Sequence, residues 1–288
     1  ITYDAPVTIT SADPGNAAVF SHMKLAGVSN LTFDTLTFNY TFASADPEWI
    51  RPFQINGSDN IRIANSVFEG DVAVNSSPEI DGYGYGIGLA VRGSADVEID
   101  GSEFSTFLRA LVVTESSDIR VTSNQIHSMR SDGINLAEVQ SILVEGNYLH
   151  DFKIAPDSTD HRDMIQMWSN GTVMKSSDIV IRGNTLDIGG GGATQSIFMR
   201  NELVDQGVSG AEMFYQDILI EENVILNAHS AGIGVGETDG LTIRKNSVLA
   251  ADEPDLVPSI YVATTSTNVV IEQNATATVN GYQKQADW

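Results

Sequence analysis

Short runs of alternating apolar and polar residues repeat along most of the chain. In each run a polar residue, often Asn, follows the alternating apolar positions, and further apolar positions come after it. The copies read NIRIANSVF (60–68), DVEIDGSEF (96–104), DIRVTSNQI (118–126), SILVEGNYL (141–149), DIVIRGNTL (178–186), DILIEENVI (217–225), GLTIRKNSV (240–248) and NVVIEQNAT (268–276), with a weaker copy NLTFDTLTF (30–38). Alternation with a period of two predicts β-strands, so each repeat is predicted to be a strand, a turn and a second strand.

One polar position of the repeat recurs at regular spacing. Its members are Asn65, Ser102, Asn124, Asn147, Asn184, Asn223, Asn246 and Asn274. The shortest spacings, from 102 to 124 and from 124 to 147, are 22 and 23 residues. A repeat of this length cannot bury its own apolar face and must stack on its neighbours. Stacking predicts a solenoid of parallel strands, in which the repeated Asn forms an internal ladder to its copy one coil away or to the turn backbone.

A further strand, which we call the platform strand, precedes each repeat. The copies are RPFQI (51–55), YGIGL (85–89), RALVV (109–113), DGINL (132–136), DMIQM (163–167), QSIFM (195–199), AGIGV (231–235) and PSIYV (258–262). Two inward columns of these strands are uniformly apolar: Phe53, Ile87, Leu111, Ile134, Ile165, Ile197, Ile233 and Ile260, then Ile55, Leu89, Val113, Leu136, Met167, Met199, Val235 and Val262. Uniform columns support this register.

Asn-bearing coils of this length over nearly the whole chain resemble the right-handed parallel β-helix proteins, which include pectate lyases, polygalacturonases, alginate lyases and mannuronan C5-epimerases. The resemblance implies an all-β fold, a right-handed parallel β-helix of about 8–10 coils with an internal Asn ladder. We expect one domain over residues 1–288, with loop insertions near 70–84, 152–162, 187–194 and 201–216.

The charge of the chain restricts its partners. The formal net charge is −23, from 38 acids against 15 bases, which argues against nucleic acid because phosphate binding needs a basic surface. The absence of cysteine excludes disulfides and thiolate metal sites. No apolar run is long enough to span a membrane. The chain begins at Ile1 with neither Met nor a signal peptide, so we expect a processed piece of a secreted, extracellular and monomeric protein.

The outward positions of the platform strands, about 4.8 Å apart from coil to coil, carry the candidate chemistry. They gather Arg51, Tyr85, Arg109, Asp132, Asp163, Gln195, Asn135, Gln166, Trp168 and Arg200 on one face, with Arg130, His161 and Arg162 just before two of the strands. The predicted insertions would wall this platform and make a cleft. We therefore expect an acidic polysaccharide to bind there through Arg51, Tyr85, Asn135, Gln166, Trp168, Gln195 and Arg200.

Two acids and a histidine are candidates for proton transfer. Asp132 and Asp163 occupy equivalent positions in adjacent coils, and like charges so close can create an acid and base pair. Alternatively, each caps a turn or pairs with an arginine. His161 suits a general base, or it holds Asp157 or Asp160.

Arginine and calcium are the candidate cations of the platform. Arg109, Arg162 and Arg200 suit recognition of uronate carboxylates, or they neutralise the two acids locally. A weak calcium site would use Asp157 and Asp160.

The sequence matches the motifs of individual families only in part. RSDG (130–133) and HRDM (161–164) stand where polygalacturonases carry N-T-D and D-D, and only Asp132 and Asp163 match. DHRD (160–163) has the residue types of the epimerase D-P-H motif and its following acid at a different spacing. No lysine appears on the predicted platform to match the Lys and Arg pair of alginate lyases, whereas the arginine that pectate lyases use as base beside Ca²⁺ is available.

We therefore predict a secreted lyase that cleaves an acidic polysaccharide such as alginate by β-elimination. His161, Arg162, Asp163, Asp132 and Arg109 form the predicted catalytic group. His161 would be the base, with an arginine as the rival base. The alternatives are a glycoside hydrolase that uses Asp132 and Asp163, a C5-epimerase, and a non-catalytic carbohydrate-binding solenoid.

Overall fold

The computed structural model describes residues 2–13, 15–251 and 256–281. Nearly all of its regular structure is β-strand. The strands are β1 (Thr2–Thr10), β2 (Val19–Phe20), β3 (Met23–Ala26), β4 (Ser29–Asp34), β5 (Thr37–Asn39), β6 (Phe53–Asn56), β7 (Asp59–Ala64), β8 (Val67–Glu69), β9 (Asp71–Val72), β10 (Gly84–Tyr85), β11 (Ile87–Arg92), β12 (Ala95–Asp100), β13 (Glu103–Ser105), β14 (Arg109–Thr122), β15 (Gln125–His127), β16 (Asp132–Glu145), β17 (Tyr148–His150), β18 (Asp163–Met167), β19 (Ser177–Arg182), β20 (Thr185–Asp187), β21 (Gln195–Met199), β22 (Tyr215–Glu221), β23 (Val224–Asn227), β24 (Ala231–Val235), β25 (Thr238–Arg244), β26 (Ser247–Ala250), β27 (Ser259–Val262), β28 (Thr267–Glu272), β29 (Ala275–Thr276) and β30 (Val279–Gly281). One short helix, α1 (Glu202–Asp205), and one 3₁₀ turn, Ala211–Met213, lie between β21 and β22.

The strands form three columns that run along a solenoid. The platform column contains β3, β6, β11, the first part of β14, the first part of β16, β18, β21, β24, β27 and β30. The second column contains β1, β4, β7, β12, the later parts of β14 and β16, β19, β22, β25 and β28. The third column contains β2, β5, β8, β13, β15, β17, β20, β23, β26 and β29. Neighbours within each column pair in parallel, which confirms the predicted parallel solenoid.

The core fills the space between the three columns. Phe20, Phe38, Phe68 and Phe104 stack in the third column with ring centroids 5.7, 4.5 and 4.4 Å apart. Further along, the same position is held by aliphatic residues such as Leu149. Each coil thus buries its apolar face only against its neighbours, as expected for a repeat too short to fold alone.

The predicted Asn ladder is present at the turn between the second and third columns. Asn124 Nδ2 donates to Asn147 Oδ1 at 3.0 Å, and Asn147 Nδ2 also donates to the carbonyl of Val121 at 2.8 Å. The same bond to the next copy continues at 2.9 Å through Asn184, Asn223, Asn246 and Asn274. The side chains satisfy each other and the buried turn backbone together.

The prediction was wrong for one member of the ladder. Ser66, not Asn65, occupies the position, because its backbone amide donates to Ser102 Oγ at 3.1 Å. Asn65 precedes it in a left-handed conformation at φ 49° and donates to Asp34 on the surface. Asn tolerates this conformation well, so the Asn of this repeat belongs to the turn and not to the ladder.

The predicted register of the second platform strand was also wrong, by two residues. Ile87 pairs with Arg109, and Leu89 with Leu111. Tyr85 instead lies in the preceding strand β10, which pairs antiparallel with β9 in the 70–84 loop. The reason is that alternating apolar residues look the same after a shift of two positions, so periodicity alone does not fix this register.

Two platform strands, β14 and β18, begin with a corner that turns one side chain outward. Met164 and Ile165 are consecutive, and both belong to the buried core. The residue before them, Asp163, is therefore on the outer side of the coil. The same corner occurs at Ala110 and Leu111, after Arg109.

Gly133 allows two adjacent corners to approach closely. A Cβ at this position would lie 2.4 Å from the carbonyl oxygen of Met164.

Connections without strands lie where most insertions were predicted, between β17 and β18, between β20 and β21, and between β21 and β22. The single domain over residues 1–288 stays a prediction, since it includes residues outside the described ranges. None of the helices in the described part of the chain has the length and apolarity needed to cross a lipid bilayer.

Candidate active site

Two carboxylates lie side by side at the corners of β16 and β18. Asp132 Oδ1 accepts a hydrogen bond from the backbone amide of Asp163 at 3.0 Å. Both side chains have 0% exposure, although both are outside the core. The platform was predicted to present these acids to a ligand, and the structure instead covers them. The cover comes from the side chains that bind them and from the walls of the cleft.

His161 covers Asp163 and faces the solvent. Its Nδ1 is hydrogen-bonded to Asp163 Oδ2, and 48% of its side chain is exposed. The amide nitrogens of Gln166 and Gln195 lie 3.1 Å from His161 Nδ1 and 3.3 Å from His161 Nε2. Ser131 Oγ donates to the backbone carbonyl of His161. The imidazole is therefore held at both its ring and its backbone, with Nε2 on the side of the cleft.

Arg109 neutralises one of the two acids. Its Nε lies 2.8 Å from Asp132 Oδ2, and 18% of its side chain is exposed. Trp49, from the loop before the platform strand β6, stacks on the guanidinium with its ring centroid 4.6 Å from Cζ. Arg109 thus acts on the buried acid beneath it, and Trp49 shields the ion pair from water.

The protonation of the group follows from its burial. Burial raises the pKa of Asp163 to about 7, against the lowering effect of its hydrogen bond to His161. Burial also raises the pKa of Asp132, and Arg109 opposes this rise. The hydrogen bond to Asp163 raises the pKa of His161. Two buried carboxylates with one arginine leave one net negative charge on the group. His161 and Asp163 share the single proton of their hydrogen bond, which leaves Nε2 free to accept another.

A fully buried arginine holds the two loops that flank this group. Arg130 has 0% exposure, and its Nε donates to Asp160 Oδ2 at 2.9 Å. Its NH2 group donates to Glu48, the residue before Trp49. Glu48 precedes Trp49, and Asp160 precedes His161. Arg130 therefore holds in place both the loop that carries Trp49 and the loop that carries His161.

The predicted weak calcium site is not supported by its contacts. Asp160 binds Arg130 and accepts from Ser158 Oγ at 2.7 Å, while Asp157 is exposed. The carboxylate of Asp160 is therefore already bound by protein donors. Calcium dependence itself stays a prediction.

Asp132, His161 and Asp163 are close enough to consider for a metal, with one donor atom from each within 4.8 Å of the others. Both oxygens of Asp132, however, face protein partners: the amide of Asp163 and the guanidinium of Arg109. A cation there would have to compete with a guanidinium 2.8 Å from its ligand. Asp132 therefore has no free oxygen to offer a cation.

Several predicted residues lie away from this group. Arg162 donates to the backbone carbonyl of Ala155 at 2.6 Å, inside the 152–162 loop rather than over the platform. Arg200 pairs with Asp205 at 2.9 Å, so its charge is already balanced. Tyr85 is buried at 5% exposure, and its hydroxyl donates to the carbonyl of Asp46 at 3.0 Å. These contacts follow from the loop insertions, whose course the sequence pattern does not encode.

The remaining predicted residues line the platform. Asn135 is fully buried, and neither of its amide atoms has a hydrogen-bond partner among the described residues. Gln166 and Gln195 are half-buried beside His161. Trp168 packs against an outward apolar cluster that contains Ile87 and Val112.

A cavity of about 230 Å³ continues from Trp168 to the exposed Arg51. It runs along the platform toward the N-terminal coils and also contains Arg92 and Asn56. Arg51 has no carboxylate partner among the described residues, whereas Arg92 pairs with Glu115 at 2.6 Å. This end of the cleft therefore offers a free cation.

Three residues around the site were not among its predicted members. Phe198 packs near His161 with ring centroids 5.6 Å apart, and on its platform strand it pairs with Gln166. His229 is close enough for the His161 charge to help burial lower its pKa. Trp49 precedes its strand in a loop without repeat pattern, so no periodic signal marks it.

A solenoid of parallel coils with an internal Asn ladder defines the chain as a parallel β-helix protein. The sequence family described as the right handed beta helix region matches residues 50–196, and the chain belongs to this family. The match covers the candidate active site from Arg51 to Gln195.

Two solved structures place the fold among known proteins. The surface adhesin PfbA of Streptococcus pneumoniae is similar over 91% of this chain and 66% of its own, with 16% identity and a TM-score of 0.61. A hyperthermoactive exopolygalacturonase from Thermotoga maritima is similar over 90% of this chain and 72% of its own, with 13% identity and a TM-score of 0.53. No curated protein sequence matches the chain. At these identities the likeness establishes the shared fold alone.

Proposed function

We propose that the protein is a polysaccharide lyase that abstracts a proton from a uronate sugar through His161. One observation carries this proposal. His161 is half exposed in the cleft, while the two carboxylates behind it have no exposure at all. The group that can touch a sugar is therefore the imidazole, and Asp163 is its supporting partner.

The proposed reaction is β-elimination. His161 Nε2 takes the proton from C5 of the uronate, and the electron pair left behind forms the C4=C5 double bond. The C4–O bond breaks, and the leaving oxygen takes up a proton from solvent water to become the new chain end. His161 then releases the proton it took from C5 to the solvent. Asp163 accepts the Nδ1 hydrogen of His161, which orients the ring and stabilises the imidazolium that forms.

The uronate carboxylate also needs donors near the base. Gln166 and Gln195 place side-chain amides within 3.3 Å of the imidazole. Amide hydrogens there would bind the carboxylate and stabilise the negative charge that develops when C5 loses its proton. Arg51 would attract a further uronate at the N-terminal end of the cleft. These roles replace those predicted for Arg162 and Arg200.

Hydrolysis by the two acids has less support. Glycoside hydrolases place their carboxyl groups about 5–5.5 Å apart when they retain configuration and about 6.5–9.5 Å apart when they invert it. Asp132 and Asp163 approach within 4.8 Å, and neither presents an oxygen to the cleft. Because neither carboxylate is exposed, neither acid can contact a sugar in the cleft.

We further propose that the protein acts outside the cell, as a monomer. The high negative charge suits an extracellular medium, and the acidic polysaccharide would approach the arginine-bearing end of the cleft.

Ultraviolet absorbance tests the proposal, because elimination leaves an absorbing unsaturated uronate. Wild-type protein is mixed with alginate, polygalacturonate, glucuronan and hyaluronan in turn, with and without Ca²⁺. We expect a rising signal on at least one polymer, its loss in His161→Ala, and a strong decrease in Asp163→Asn. The exposed Asp118→Asn on the second column is the matched control and keeps full activity.

A flat signal on every polymer would contradict the lyase proposal. Release of reducing ends would then indicate a hydrolase. Uptake of solvent deuterium at C5 without cleavage would indicate an epimerase. Binding without either reaction would indicate a carbohydrate-binding solenoid.

A further inference from the structure

A second recess lies on the platform beyond His161, toward the C-terminal coils. Phe198, Gly234 and Tyr261 occupy the same outward position of three successive platform strands. With Arg200 and Glu237 they line a cavity of about 170 Å³. We call this recess the aromatic notch. The elimination chemistry does not use it.

The rings of Phe198 and Tyr261 each lie against a glycine of the neighbouring strand. A Cβ at Gly234 would lie 3.0 Å from Cδ2 of Phe198, and a Cβ at Gly281 would lie 3.1 Å from Cε2 of Tyr261. Tyr261 is 49% exposed, which is high for an aromatic residue on a sheet. Rings in this position present part of their faces, the surface on which the C–H face of a sugar packs.

The charge of the notch differs from that of the opposite end of the cleft. Arg200 is paired with Asp205, and Glu237 adds a second acid. Glu237 Oε2 is buried and has no hydrogen-bond partner among the described residues. Two acids against one base leave the notch negative. A buried, unpartnered carboxylate oxygen favours a hydroxyl donor and repels another carboxylate.

We propose that the aromatic notch binds a neutral sugar residue of the same glycan that reacts at His161. Phe198 lies on the strand next to that of Asp163, and the middle of the notch, at Gly234, lies one strand further. Neighbouring strands are about 4.8 Å apart, so the middle of the notch is roughly 10 Å from the strand of Asp163. The inference rests on the proposed function and narrows its substrate. The glycan carries neutral sugars between its uronates, so it is a mixed polymer and not a uronate homopolymer.

Calorimetric binding of two hexasaccharides tests this proposal in a His161→Ala background, where turnover does not interfere. The probes are a hyaluronan hexasaccharide, which alternates uronate and neutral sugar, and hexagalacturonate, which contains uronate alone. We expect tighter binding of the alternating probe. Tyr261→Ala should weaken that binding by about tenfold, the effect of one lost aromatic contact. Tyr148→Ala, which removes a 40% exposed tyrosine from the third column, is the matched control and should change nothing.

Glu237→Gln tests the charge argument separately. It removes the negative charge but keeps the shape, so binding of hexagalacturonate should improve and the preference for the alternating probe should narrow. Equal or tighter binding of hexagalacturonate by the parent protein overturns the proposal. So does an unchanged affinity in Tyr261→Ala, or no binding of either probe.

The two proposals fail in different ways. Binding that depends on Tyr261, without ultraviolet signal on any polymer, would leave the notch assigned and remove the lyase. Elimination that depends on His161, together with Tyr261-independent binding, would leave the lyase and remove the notch.

Discussion

Replacing Asp163 with Asn should change how stability depends on pH. The pKa of Asp163 is raised from 3.8 to about 7 by burial. The folded protein therefore binds this proton more tightly than the unfolded chain does. The stabilisation is fully present below pH 3.8, and it is lost as the pH rises toward about 7. The pKa of His161 is also raised, so its contribution is lost in the same direction as pH rises.

The size of the effect follows from the shift. A rise of about 3 pKa units corresponds to about 4 kcal/mol in the free energy of unfolding. Asn cannot ionise, and His161 in this variant loses the bond that raises its pKa. Relative to the wild type, Asp163→Asn should therefore gain up to about 4 kcal/mol between acidic and neutral pH. His161 shares the proton with Asp163, so the observed gain should be smaller than this limit.

Urea unfolding followed by circular dichroism, at about pH 4.5 and about pH 8, measures this difference. Only the change between the two pH values matters, so a constant loss of stability in the variant does not disturb the result. Asp118→Asn is again the control, and it should follow the wild type at both pH values. If Asp163→Asn follows the wild type to within about 1 kcal/mol, Asp163 does not hold a proton in the folded protein and the shared-proton account is wrong.

Arg130→Met should lower the free energy of unfolding by about 3 kcal/mol, because it leaves the partly buried acids Glu48 and Asp160 without their partner. Urea unfolding measures the loss, and an unchanged midpoint would contradict the prediction. Gly133→Ala should cost about 1–3 kcal/mol, since its Cβ would meet the Met164 carbonyl at 2.4 Å. It should also reduce activity by separating the two acidic corners, and full activity would refute that. Asn147→Ala should cost about 2–3 kcal/mol by leaving Asn124 and a buried carbonyl unpaired. Asn147→Ser, the residue type found elsewhere in the ladder, should cost less, and equal melting temperatures for the two variants would refute the ladder's role.

Much of the fold could be predicted from the sequence because the repeat carries its own redundancy. The alternation and the recurring Asn give the same strand order in successive coils, and the ladder from Asn124 to Asn274 confirms it. The errors lay where this redundancy fails. A shift of two residues preserves alternation, so Tyr85 was placed where Ile87 lies. Asn65 resembled a ladder residue because Asn also suits a left-handed turn.

The candidate site could be predicted only in part. Its position on the platform followed from the outward columns, which placed Arg109 beside Asp132. The burial of the acids did not, because it depends on Trp49 and His161, which come from loops. Loop conformation follows from contacts such as that of Arg162 with Ala155, which leave no periodic trace in the sequence. The exposure of His161 and the burial of the two acids therefore could not be predicted without the structure.

The buried Arg130 also affects the order in which the coils of the solenoid unfold. In a solenoid, coils touch only their neighbours, and the end coils can unzip one at a time. Arg130 binds Glu48, which is 82 residues away in the sequence, and Asp160, which is 30 residues away on the other side. This contact ties the loop before β6 to the loop before β18 and skips the coils between them. Fraying from the N-terminal end should therefore stop at this tie, and the middle coils that carry His161 should open together as one cooperative unit.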